Sequence, residues 1–129
     1  MKTEINEIAI NGEVYVKKGI ESKTAFNSEG KKYQIIRTYS AGVFAGYVES
    51  EKTEGGSTQM VVRDARRLWS WAGAASLSEL AKKGTSKPNE CKFPCAVDRV
   101  ELKQVIEVLD VTEAAKKSID GVKVWTNHN

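Results

Sequence analysis

Apolar residues fall at every second position through most of the nonpolar stretches of this chain, and that period limits it chiefly to β-sheet. Ile8 and Ile10 alternate with polar residues, Asn11-Gly12 supplies a favoured two-residue turn, and Val14 and Val16 resume the alternation. Residues 1–20 therefore read as an N-terminal hairpin, and the polar stretch 21–32 as a connection. A second hairpin runs from Tyr33 through Ser50, crosses a loose tip "EKTEGGST" and returns as "QMVVRDARRLWSW". "AVDRVELKQVIEVLDV" is strand again, with a bend or bulge expected at Gln104-Val105 where the alternation shifts. Helical signals are confined to two places. Ser76-Leu77-Ser78-Glu79 is a capping box opening a helix that Gly84 ends, and Asp110-Val111-Thr112-Glu113 is a second, opening "EAAKKSID" before Gly121. The tail "VKVWTNHN" suits a short edge strand through Val122 and Val124. This order predicts an α+β fold, an antiparallel sheet built from hairpins with two short helices packed on it.

Length and composition bound the rest. A chain of 129 residues makes one domain, with its core over 33–125. Its 40% hydrophobic and 29% charged residues are those of a globular protein, and a net charge of +3 is too mild to imply nucleic acid by itself. The start "MKTEINEIAING" lacks the apolar stretch of a signal peptide and no run is long enough to cross a membrane, so a cytoplasmic protein is expected. Cys91 and Cys95 form C-x-x-x-C with no second pair and no nearby histidine, a poor zinc signature; reduced thiols and no metal are expected.

Catalysis finds little support. The single histidine, His128, lies next to the C-terminal residue, which removes most Ser-His and Cys-His systems. No phosphate-cradling glycine loop or dinucleotide fingerprint is present. The expectation is a binding protein, with no catalytic residues and no cofactor.

Binding is better supported, by "RDARRLWSW". Arg63, Arg66 and Arg67 lie beside Trp69 and Trp71; a guanidinium fork matches phosphate oxygens, and an indole face stacks on a base. In a strand, Arg67, Trp69 and Trp71 share one face while Arg66 and Leu68 take the other. Either tryptophan also suits a core, and an arginine also suits a pair with Asp64 or Glu79. The partner strand contributes Thr38, Tyr39, Ser40 and Gly42, whose hydroxyls and amides are phosphate donors and whose glycine lets a ligand approach the backbone. A bulge that merely twists the hairpin explains the same glycines, Gly42 and Gly46.

The segments "RTYSAGVFAGYVES", "ARRLWSWAGAASLSELAKKG" and "CKFPCAVDRVELKQVIEVLDVTEAAKKSI" resemble a family of small phage and prophage proteins over roughly residues 33–125. That resemblance points to the phage anti-defence sponges of the anti-CBASS and anti-Thoeris kind. It implies a homo-oligomer, in the cytoplasm of an infected host, that sequesters a cyclic nucleotide or cyclic ADP-ribose signal without cutting it. The rival expectations are an anti-CRISPR-like inhibitor that turns the Arg/Trp patch on a host protein, and a nucleic-acid-binding module.

Overall fold

The computed structural model describes residues 23–126. The hairpin expected over 1–20, and His128, lie outside the described residues. Five strands form one antiparallel sheet: β1 (Tyr33–Thr38), β2 (Val43–Glu54), β3 (Ser57–Arg67), β4 (Val97–Leu102) and β5 (Val105–Asp110). Helix α1 (Leu77–Lys83) follows β3 and helix α2 (Glu113–Asp120) follows β5, so the α+β expectation holds.

The sheet order is β4-β3-β2-β1-β5, which places consecutive strands β4 and β5 on opposite edges. In a flat sheet those edges would stand about 19 Å apart. Lys103 and Gln104 alone join them, a link of about 11 Å at full stretch. The sheet must therefore curl until its edges meet at that corner. Gln104, at φ 55°, turns the chain there, and its carbonyl accepts the Tyr39 amide at 2.9 Å. The expected bend is thus the seam of a nearly closed barrel.

Curling buries both faces of the sheet. Neighbours Ile35 and Ile36 point to opposite sides, and both are fully buried. Ile35 joins Tyr33, Ala45, Leu68, Leu80, Phe93 and Ile119 under the two helices, while Ile36 packs with Phe44, Met60, Val62 and Leu102 inside the curl.

Four local features depart from the sequence expectation. Residues 33–50 form two strands and a turn, because the Thr38 hydroxyl accepts the Ala41 amide and donates to the Gly42 carbonyl, both at 2.8 Å. Gly42 closes that turn at φ 94°, where L side chains are strained. The tip is tighter than a loose loop: pairing runs to Glu54 opposite Ser57, leaving only Gly55-Gly56 to turn. Helix α2 is capped by Thr112, whose hydroxyl accepts the Ala115 amide at 3.0 Å; Asp110 is the last residue of β5. The tail makes a single parallel bridge, Phe93 to Val124, with Val122 buried in the core.

A bulge decides where the arginines go. The β2–β3 register shifts between Ala45 and Tyr47, opposite Asp64, which has φ 51°. Gly46 belongs there because a Cβ would lie 2.6 Å from Val62 Cγ1 and 2.8 Å from the Arg63 carbonyl oxygen. Beyond the bulge the alternation is reset: Ala65 faces the inner core, and Arg66 and Leu68 turn toward the helices.

Candidate functional site

The turn at Ser40–Val43 and the segment Arg67–Trp71 face each other across a pocket of about 300 Å3. Of the residues singled out from sequence, it gathers Ser40, Gly42, Arg67, Trp69 and Trp71. The interrupted strand and the Arg/Trp segment are brought together because Phe44 pairs with Arg67 across β2 and β3.

Arg67 is the charged residue of this lining. Its guanidinium carbon sits 4.3 Å over the Phe44 ring, and Nη1 donates to the Ala41 carbonyl at 2.5 Å. That is its one hydrogen bond to the described residues, so most of the fork remains unused. A Cβ on Gly42 would come within 3.1 Å of Nη1, so the glycine serves both the turn and the approach of the guanidinium. Trp69 is 64% exposed at the rim, whereas Trp71 is half-buried against the helix-side core.

The other four arginines are occupied. Arg37 pairs with Glu107 at 2.8 Å, Arg99 with Glu101 at 3.0 Å and Arg63 with Glu49 at 2.5 Å. The Arg63 hydrogen bond holds the Glu49 carboxyl below its usual range. Arg66 departs furthest from expectation. It is buried, and its guanidinium donates to the carbonyls of Pro94, Ile119, Phe93 and Val122 at 2.7–3.0 Å. Four of its five N–H groups are therefore held by backbone, and burial pulls its pKa below the usual arginine value. Arg66 is a clamp on the chain, not a phosphate ligand.

Thr38 and Tyr39 also stand apart from the pocket. Thr38 is buried with its hydroxyl occupied in the turn, and Tyr39 is 75% exposed beside it. What sequence reasoning missed is Phe44, the platform under Arg67, and the Ala41 carbonyl that orients it. Finding them requires the β2–β3 register across a bulge, which no periodicity reveals.

The Trp segment has its own support. The Thr85 hydroxyl donates to the Ala72 carbonyl at 2.5 Å, and the buried Cys91 thiol contacts the same oxygen at 3.5 Å. Cys91 thus anchors the loop, whereas Cys95 is exposed. A larger hollow of about 830 Å3, between Phe26, Tyr47 and α2, is a weaker candidate for an anion because Glu113 and Asp120 line it together with Lys116 and Lys117. Lys116 there pairs with Asp120 at 2.5 Å and lies over both Tyr33 and Tyr47. Burial works to lower its pKa, and the hydrogen bonds to Asp120 and Tyr47 outweigh that and raise it. Among the described residues no three His, Cys, Asp or Glu side chains are grouped to hold a metal, and no helix is long and apolar enough to cross a membrane.

Fold and site together define a small α+β domain: a curled five-stranded antiparallel sheet with an arginine–tryptophan pocket between the β1–β2 turn and the end of β3. The chain belongs to DUF6948, a domain of unknown function, whose family model matches residues 31–119. No curated protein and no solved structure matches it significantly.

Proposed function

We propose that this protein binds a cyclic nucleotide-type signal and sequesters it without cleavage, acting as an anti-defence protein in a phage-infected host. The observation that carries this reading is Arg67: a guanidinium with most of its donors unused, in a pocket that Trp69 and Trp71 also line. Phosphate oxygens suit the fork and a base suits the exposed indole of Trp69. Ser40 supplies the one side-chain hydroxyl among the described lining residues, and no carboxylate, imidazole or thiol joins it, which favours holding a ligand over breaking its bonds. A volume of about 300 Å3 accommodates about one nucleotide unit, so a larger cyclic ligand calls for a second copy of the chain to complete the enclosure.

The test is a thermal-shift panel of cyclic di- and trinucleotides and cyclic ADP-ribose isomers, followed by denaturation and chromatography of the released ligand. Supporting results are a stabilisation of about 2.7 kcal/mol at a hundredfold excess over Kd and return of the intact compound. A linearised product accumulating beyond the number of sites overturns it. A second reading has its own observation: Tyr39 and Trp69 are the two most exposed aromatic side chains among the described residues, a residue type favoured at protein interfaces. A panel with no hit, together with capture of a host defence complex that Trp69→Ala abolishes, would favour that reading.

A further inference from the structure

We propose that the pocket selects a phosphate carrying a single negative charge, a phosphodiester, over the doubly charged phosphomonoester of an ordinary nucleotide. This rests on the nucleotide-binding reading above and names the chemistry that the same site prefers.

The selection is one of charge. Arg67 is the charged side chain among the described residues that line the pocket. Lys92 and Glu79, near the Trp segment, have partners of their own. The Lys92 ammonium sits 5.6 Å over the Trp125 ring, and the Glu79 carboxylate accepts the Ala75 amide at 2.6 Å. Arg66 is buried on the helix side of β3 against four carbonyls. Asp64, on the bulge, lies near Tyr33 and Arg66 in a separate hollow. One guanidinium, its Nη1 oriented by the Ala41 carbonyl and its face supported by Phe44, balances one negative charge. A second phosphate charge would lose water on entering and meet no second cation among the described lining residues.

A phosphodiester meets that condition in a cyclic nucleotide, and also in a strand of nucleic acid. The cyclic small molecule is favoured. A strand needs a track of cations along successive phosphates, and among the described arginines other than Arg67, Arg37, Arg63 and Arg99 are each paired with a glutamate and Arg66 is buried.

The experiment uses the full chain and the quenching of its tryptophan fluorescence. The probes are 3′,5′-cyclic AMP and cyclic GMP against 5′-AMP and 5′-GMP, with a short single-stranded oligonucleotide as a further arm. Titrations are run near pH 8 and near pH 5, on either side of the monoester's second pKa of about 6. The cyclic forms carry one charge at both; the monoesters carry two at the higher pH and one at the lower.

The expected result is at least about tenfold tighter binding of a cyclic form near pH 8, with the gap falling below about threefold near pH 5. Arg67→Gln abolishes the preference without unfolding the protein. Equal or tighter binding of the monoester near pH 8 overturns the charge selection and leaves nucleotide binding intact. A gap unchanged near pH 5 overturns it as well, by assigning the preference to shape. Tighter binding of the oligonucleotide overturns the small-molecule assignment. Absence of binding by every probe and by the cyclic panel overturns the parent reading.

Discussion

Arg66 offers the sharpest test of how this fold is held together, through the substitution Arg66→Met. Methionine keeps much of the volume and removes every donor. Four carbonyls lose a partner, but not equally. Phe93 still accepts the Trp125 amide at 3.0 Å and Ile119 still accepts the Val122 amide at 3.1 Å. Pro94 and Val122 keep no other donor among the described residues. The buried Val122 acceptor left alone costs about 1–3 kcal/mol and the half-buried Pro94 acceptor less, while the buried guanidinium's own desolvation cost is relieved. The net loss should be about 2–3 kcal/mol, below what four charge-assisted bonds would sum to. For a domain of this size that lowers Tm by about 6–12 °C. Urea unfolding followed by tryptophan fluorescence reads it directly, with Arg67→Met as the control expected to stay within about 1 kcal/mol. A loss below about 1 kcal/mol for Arg66→Met would refute the clamp and return Arg66 to the list of ligand candidates.

Other perturbations probe the turn, the bulge and a buried phenol. Gly42→Ala places a side chain at φ 94° and 3.1 Å from Arg67 Nη1, so calorimetry should show a loss of about 1–3 kcal/mol together with weaker ligand binding. Gly46→Ala should cost more than Gly42→Ala, since its Cβ would strike Val62 and an Arg63 backbone carbonyl that has little room to move; the reverse order in denaturation midpoints would contradict the bulge geometry. Burial pushes the Tyr33 phenol up, with Asp120 and Asp64 adding to it. A folded pKa above the unfolded one contributes stability that is fully present below about pH 10 and is lost as the pH climbs further. Tyr33→Phe should therefore flatten the alkaline decline of Tm while changing neutral stability little, because the hydroxyl has no hydrogen bond to the described residues.

The sequence made the period-two strands, the Ser76 cap and the pairing of the glycine-rich stretch with the Arg/Trp segment legible, because each is a local pattern or a short hairpin. It did not reveal which arginine lines the pocket. Arg66 and Arg67 are neighbours with the same chemistry, and their fates are separated by one extra residue at Asp64 that resets the alternation. Nor could it show that β4 and β5 lie on opposite edges, since a two-residue link most often joins a hairpin. The Thr112 cap was misread as Asp110 because both stand before an acidic first turn, and only the reach of β5 decides between them.

The seam at Lys103-Gln104 has a kinetic consequence. Strand β1 is among the first to be made, yet one of its two neighbours is β5; Arg37 pairs with Glu107 across 70 residues of chain. Closing so long a loop precedes the contacts that reward it, which slows the search. During synthesis β1 can pair with β2 at once, while its other edge waits unpaired for the last strand, open to association with neighbouring chains. A chain ending before Val105 would keep that edge open permanently, and insolubility, not partial stability, is what such a truncation should display.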